Sequence, residues 1–376
     1  MSGLYVHLPW CTNKCPYCDF NSYQAKDTIA EKMYVNALMR DLDRECSVQS
    51  VESISSIFIG GGTPSLFSGN AINALLDGIS NRLTLTDDVE ITLEANPGSA
   101  DASRFKHYKT AGVNRISIGI QSFSNACLTA LGRAHNAVDS CDALDAAVGA
   151  GFDNMNIDLM FGLPSEDSSR TLKDLSQAIS FNPQHISWYQ LTIEENTAFA
   201  KKPPMLPSHD EICDEYEAGQ ILLTEAGFSQ YEISAYSKQG SESRHNLNYW
   251  NFGDYVGIGA GAHGKRASSE GVVRTEKIKN PDRYMQSALS NKKIHTDRFI
   301  AEEQLIGEYM INALRLKNGF CIDALLANIP KLNLQAHFFE CLDSAYTKNF
   351  LQCEDRWVKP TPLGYRFLND LQLIFL

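Results

Sequence analysis

Cys11-Thr-Asn-Lys-Cys15-Pro-Tyr-Cys18 puts three thiols within eight residues, directly after the apolar run Tyr5 to Leu8 and ahead of a helical pattern over Thr28 to Cys46. Tyr5 to Leu8 reads as a strand. Thr28 and Glu31 open the helical pattern at capping-box spacing, with Met33, Ala37 and Leu38 on one face. The thiols therefore fall in the loop between a first strand and a first helix. A loop with that spacing can hold three corners of a cubane iron–sulfur cluster and leave one iron without a protein ligand. Three other readings stay open on these residues alone: unrelated cysteines, a zinc site completed by His7, and a dithiol redox pair at Cys15-Pro-Tyr-Cys18.

Working outward, five more strand-like runs follow at Ile54 to Ile59, Val89 to Leu93, Arg115 to Ile120, Asn154 to Leu159 and His185 to Leu191. All but the last lead into helical patterns. This alternation predicts an α/β fold, an open or partial (β/α)6 barrel of parallel strands with ligand sites at their carboxyl ends. The rhythm breaks after Thr192. Residues 196–298 read as an extension of a core spanning 1–195; they hold the Pro-rich Lys202 to Pro207, a helix over Glu211 to Glu225, and strand-like segments near Tyr231 and Val256. In residues 299–376, three helical patterns precede the strand-like Phe350 to Pro360 and a last helix from Thr361, the order of a winged-helix-like domain. Its acidic and apolar composition favours packing or a protein partner over DNA.

With 45 acidic and 33 basic side chains among 376 residues, the formal charge is −12, which argues against broad binding to nucleic acid or an anionic membrane. No apolar run approaches the ~20 residues that cross a bilayer. The opening Met-Ser-Gly-Leu-Tyr-Val-His has no signal-peptide pattern, so a cytoplasmic protein without a transmembrane segment is expected. Of ten cysteines only Cys11, Cys15 and Cys18 cluster, which suits a reducing compartment and one metal or redox site.

Gly60-Gly-Gly-Thr-Pro64 ends the second strand, where a glycine-lined backbone can approach a ligand; no Gly-Lys-Ser/Thr follows, so it is not a P-loop. The cysteine loop and this turn together resemble the radical S-adenosylmethionine (SAM) superfamily. That resemblance implies a 4Fe-4S cluster on Cys11, Cys15 and Cys18, with SAM chelating the open iron and Gly61, Gly62 and Thr63 holding its methionine part.

The likeness runs through the whole chain and is similar to the anaerobic coproporphyrinogen III oxidase-like branch. Its carriers are Tyr5-Val-His-Leu-Pro-Trp10, Glu94 in Glu-Ala-Asn-Pro-Gly98, Gln121 in Gly-Ile-Gln-Ser-Phe123, Arg133 in Leu-Gly-Arg-Ala-His135 and Asp158 in Asn-Ile-Asp-Leu-Met160. The resemblance implies that Tyr5, Tyr17, Glu94, Gln121, Arg133 and Asp158 contact SAM: Glu94 through the ribose hydroxyls, Arg133 through the carboxylate, Asp158 facing the adenosine.

Two departures separate the chain from the dehydrogenases of this branch. Phe20 stands where they carry a further cysteine, and their long leading segment is absent before Cys11. Both favour the branch's haem-chaperone family over porphyrinogen decarboxylation, as does the similarity of His245-Asn-Leu-Asn-Tyr-Trp250 and Gly253 to Gly264. The function implied is binding of haem as cargo and its transfer to an acceptor protein, with homodimerisation left open. A dehydrogenase acting on coproporphyrinogen III by reductive SAM cleavage is the alternative, and an RNA-modifying enzyme is disfavoured by the acidic charge. His245 is the leading haem ligand, with Tyr249 and Trp250 as aromatic surface and Asn246 and Asn248 fixing the imidazole tautomer; His263 is its competitor. The run Gly257 to Ala262, which mimics a dinucleotide fingerprint, reads instead as a tight strand-to-loop corner.

Overall fold

Isoleucine-rich runs build the centre of the molecule: Ile54, Ile57 and Ile59, then Ile91 and Leu93, then Ile116, Ile118 and Ile120, then Ile157 and Leu159 are all buried. Strands covered on both faces read as such near-continuous apolar runs. The computed structural model describes residues 2–25, 28–48, 53–99, 102–164, 169–268, 271–328 and 335–376. Its strands β1 (Ser2–Leu8), β2 (Ile54–Gly61), β3 (Leu85–Ala95), β4 (Arg115–Gln121), β5 (Met155–Phe161) and β6 (His185–Gln190) lie side by side in chain order, each parallel to the next. Helices α1 (Glu31–Val48), α2 (Gly69–Ser80), α3 (Ala102–Thr110), α4 (Ala137–Gly149) and α5 (Arg170–Ser180) make the crossovers.

The six strands form the middle of a longer open sheet. After α6 (His209–Glu225), β7 (Ser229–Glu232) and β8 (Ala235–Ser237) extend it antiparallel beyond β6. The chain then forms α7 (Arg244–Trp250) and returns to the far edge, where β9 (Tyr255–Ile258) pairs parallel with β1. From there β10 (His263–Ser268), β11 (Gly271–Lys277) and, after α8 (Pro281–Leu289), β12 (His295–Phe299) continue antiparallel. The sheet order is β12-β11-β10-β9-β1-β2-β3-β4-β5-β6-β8-β7. Beyond it, α9 (Glu302–Ala313) and the helices Ile322–Asn328, Gln335–Thr347 and Leu368–Leu373 enclose a second core with Phe320, Phe338, Leu342, Leu351 and Val358, beside a three-stranded antiparallel sheet. No helix among the described residues is long and apolar enough to cross a membrane.

The first helix differs from expectation in its cap. It begins at Glu31, and the Glu31 carboxylate accepts from Ser68 N (2.8 Å) and Ser68 Oγ (2.5 Å), ahead of α2. Glu31 is thereby committed to the neighbouring helix, so the Thr28–Glu31 box does not form.

A buried ionic knot fastens the added strands to the barrel. Lys277 Nζ, fully enclosed, meets Asp41 Oδ1 at 2.7 Å and also Glu45 Oε1. Asp41 Oδ2 accepts from Tyr284 OH (2.6 Å) and Gly259 N (3.1 Å). One cluster thus ties together α1, β11, α8 and the corner after β9. Burial works against the Lys277 charge, but the two carboxylates outweigh it and hold its pKa above the ordinary value.

Candidate functional site

The cysteine loop leaves β1 under tight control of its ends. His7 Nε2 donates to the Asn21 carbonyl (2.9 Å), and its Nδ1 accepts from Tyr5 OH (3.0 Å). Asn21 Nδ2 in turn donates to the carbonyls of Ala260 (2.9 Å) and Lys279 (3.0 Å). Lys14 Nζ spans the loop to the carbonyls of Phe20 (3.1 Å) and Ser22 (3.4 Å). Both nitrogens of His7 are engaged, and no three His, Cys, Asp or Glu side chains among the described residues converge on a single ion. The bonds of His7 to Tyr5 OH and to the Asn21 carbonyl weigh against it as a zinc ligand. A cubane needs its thiolates on separate irons, not on one point.

Glycine lets β2 reach this loop. Gly61 has φ +117°, and a Cβ there would lie 2.6 Å from the His7 ring; a Cβ on Gly62 would lie 2.5 Å from the Trp10 carbonyl oxygen. The gap so closed is bridged by Gly62 N to Leu8 O (2.9 Å) and Thr63 N to Trp10 O (2.7 Å). At the carboxyl ends of the strands, one cavity of about 250 Å³ brings together Cys11, Cys15, Cys18, Tyr17, Gly61, Gly62, Thr63, Glu94, Gln121, Arg133 and Asp158. Of the sequence-derived SAM contacts only Tyr5 lies outside it.

Charge in the cavity is finely divided. Glu94 Oε2 accepts from Gly61 N (3.0 Å), and burial, aided by the Asp158 carboxylate, pushes its pKa up to about 7. Asp158 is likewise raised by burial, against the pull of donors from Asn156 Nδ2 (2.7 Å) and Ser117 Oγ (3.2 Å). Arg133 supplies the cation: its guanidinium donates to Asn96 Oδ1 (2.6 Å), Gly119 O (2.7 Å) and Tyr17 OH (3.4 Å), and lies 3.6 Å from Cys15 Sγ. Burial lifts the Cys11 and Cys18 thiols, and a bound metal would favour their thiolates. The donor set, soft sulfur beside a guanidinium in a glycine-floored pocket, fits an iron–sulfur cluster and a ligand carboxylate.

Several contributors went unnoticed in the sequence. Asn96 joins Arg133 to Thr63, to which its Nδ2 donates at 2.8 Å; its position two residues after Glu94 was a usable signal. Tyr189 OH, at the end of β6, donates to Gln121 Oε1 (2.6 Å). Gln121 adopts φ +70°, a strained conformation for a side-chain-bearing residue. Asp174 of α5 stabilises the turn by accepting from Ser122 Oγ (2.5 Å) and Phe123 N (2.9 Å). Nothing in the sequence joins Asp174 to a strand end fifty residues earlier.

A family model for the radical SAM superfamily matches residues 5–176. The heme chaperone HemW of Escherichia coli is 46% identical over 383 residues, covering 100% of this chain and 98% of that protein. The chain belongs to the radical SAM superfamily. The heme chaperone HemW of Haemophilus influenzae is 44% identical over all of this chain and 97% of its own. Among solved structures, the radical SAM enzyme coproporphyrinogen III oxidase (HemN) from Escherichia coli superposes with a TM-score of 0.83 at 18% identity, covering 99% of this chain and 89% of that one, a likeness of fold.

Beside the cavity that holds the three thiols lies a second one of about 690 Å³. The two share Lys14, Cys18, Phe20, Ser22, Gly61 and Glu94 as lining. Tyr5 lines the second cavity, together with Tyr249, Tyr255 and His263.

The structure encloses His245, the leading haem candidate, away from both cavities. That residue is 1% exposed, with Nδ1 bonded to Ser56 Oγ (3.0 Å) and Nε2 to Tyr249 OH (2.9 Å), and burial first, then Arg115, depresses its pKa to about 3. Neither nitrogen is left for iron. Its tautomer is set by Ser56 and Tyr249 rather than Asn246 and Asn248; Asn248 Nδ2 donates to Asp254 O (3.0 Å) instead. The physical reason is the placement of α7, whose first amides donate to Glu90, so that His245 packs against the amino-terminal halves of β1 and β2. His263 is exposed on the rim of the larger cavity.

Proposed function

We propose that this chain is a haem chaperone that holds a 4Fe-4S cluster on Cys11, Cys15 and Cys18, binds SAM beside it, and carries haem in the adjoining cavity for delivery to an acceptor protein. The observation that carries the reading is the pair of cavities with a shared wall. The smaller has three thiols and a carboxylate-binding guanidinium; the larger has a volume of about 690 Å³, within the usual ligand-site range of about 300–1,000 Å³, and an accessible imidazole. The full-length similarity to proteins named heme chaperone HemW supports it. When bound, the cluster supplies an iron open to SAM; Glu94, Gln121, Arg133 and Asp158 orient that ligand, and Phe20 stands between it and the cargo.

Anaerobic reconstitution followed by haem titration tests the reading. One haem per chain with a Soret band is expected, and no haem binding would refute it. In the same preparation His263→Ala is expected to shift the Soret band and the spin state. His245→Ala should keep both and lose about 1 to 3 kcal/mol of stability, because it abandons buried polar partners.

Arg133→Ala is expected to weaken SAM binding roughly ten- to a hundredfold, the equivalent of about 1.5 to 3 kcal/mol for a charge-assisted bond. An unchanged dissociation constant would remove Arg133 from the SAM site. With reductant, SAM and coproporphyrinogen III, no protoporphyrinogen above a cluster-free control is expected, given Phe20 in place of the dehydrogenases' further cysteine. Product formation would promote the enzymatic alternative.

A further inference from the structure

His263 does not stand alone on its strand. Side chains two apart along a strand share a face, so His263 and Lys265 of β10 point the same way, about 7 Å apart along the chain. In register across the sheet, Lys265 faces Tyr255 of β9 on one side and Arg274 of β11 on the other. One face of the added sheet thus carries an imidazole and, one step along, two cations.

Those cations line a small cavity of about 170 Å³ with Tyr249, Trp250 and Tyr255. Tyr249 and Tyr255, packed edge-to-face at 4.5 Å, belong to its wall and to the wall of the 690 Å³ cavity. The small cavity is below the size of a macrocycle and suits a carboxylate.

Its donors are incompletely used. The Lys265 side chain is 3% exposed and gives one hydrogen bond, to Asp254 Oδ1 (2.7 Å), of the three an ammonium can donate. Arg274 gives two of a guanidinium's five donors, to Tyr255 OH (2.9 Å) and Glu308 Oε2 (2.7 Å). Trp250, on the same wall, has a buried Nε1 with no hydrogen-bond partner among the described residues. A buried donor left in that state is costly.

Resting on the haem reading above, we propose that Lys265 and Arg274 bind the carboxylates of the haem whose iron sits at His263. The cations on the wall of the larger cavity are poorer anchors. All three cations have a carboxylate partner, Lys265 with Asp254, Arg274 with Glu308 and Lys279 with Glu276, but Lys279 is 64% exposed against 3% for Lys265 and 23% for Arg274, and Lys14 is occupied with loop carbonyls. Exposed pairs are screened by solvent, whereas an enclosed cation keeps most of its attraction for an anion. The macrocycle therefore lies with its acidic edge toward the junction of the added sheet with α9, where Glu308 and Asn312 stand, and its opposite edge toward Phe20 and the cysteine loop.

The test compares haem with haem dimethyl ester, in which both carboxylates are neutralised. The unaltered protein is expected to bind the ester about ten- to a hundredfold more weakly than haem. Lys265→Met and Arg274→Met should each bring haem affinity down toward that of the ester while leaving ester affinity and the Soret position in place, and Lys265→Arg should restore haem binding. Equal affinity of the unaltered protein for haem and ester would overturn the proposal and leave the chaperone reading standing. So would a loss of haem affinity confined to Lys279→Met. Failure of the unaltered protein to bind either ligand would remove both. Because the ligand comparison uses the unaltered protein, it decides even if a variant does not fold.

Discussion

Protein in which Cys11, Cys15 and Cys18 are all alanine is expected to retain no iron or sulfide above background after anaerobic reconstitution, against about four of each in the unaltered chain. The fold should survive the change. The loop is fixed by bonds that use no thiol: His7 to Asn21, Asn21 to Ala260 and Lys279, and Lys14 to Phe20 and Ser22. Circular dichroism and the thermal midpoint of the metal-free proteins should therefore nearly coincide, which separates ligand loss from unfolding. Full iron and sulfide in the triple variant would disprove the assignment. Zinc instead of iron in the unaltered protein would revive the reading that the engagement of His7 argues against.

Lys277→Met should have the largest effect on stability, a loss of about 3 to 5 kcal/mol in urea or thermal unfolding, because removing one partner of a buried ionic group leaves the other uncompensated. Asp41 and Glu45 have side chains 0% and 4% exposed, so water cannot take the place of the ammonium. Tyr284 and Gly259 still donate to Asp41, which leaves Glu45 the more exposed to the loss. Lys277→Met combined with Glu45→Leu should accordingly recover part of the deficit. A single variant as stable as the unaltered protein would show that the knot is not what holds the added strands to α1.

Much of this was readable from the chain because the barrel writes itself locally. Each parallel strand is a short apolar run followed by an amphipathic helix, and Glu94 and Gln121, singled out by the motifs of the resemblance, stand at the ends of their strands, with Asp158 in the middle of β5. What failed to show was set by pairings between distant segments. Glu31 was assigned to cap its own helix because Thr28 lay three residues away, while the partner it takes, Ser68, is 37 residues on. His245 carried the marks of a metal ligand, a histidine among aromatics. Only the return of the chain to the edge of β1, which brings Ser56 and Gly3 against it, turns it into a packing residue. Lys265 and Arg274 are brought opposite each other only by the register of β10 with β11.

The pairing of β9 with β1 has a consequence in time. Asn21, which secures the far end of the cysteine loop, takes its anchors from Ala260 and Lys279, the latter 258 residues downstream. At about 5–20 residues per second, a ribosome needs roughly 13 to 50 s to make that span. Through that interval the three thiols have emerged, while the strand that closes the edge beside them has not been made. The anchoring of the far end of the cysteine loop is thus completed late in synthesis, well after its three thiols have emerged.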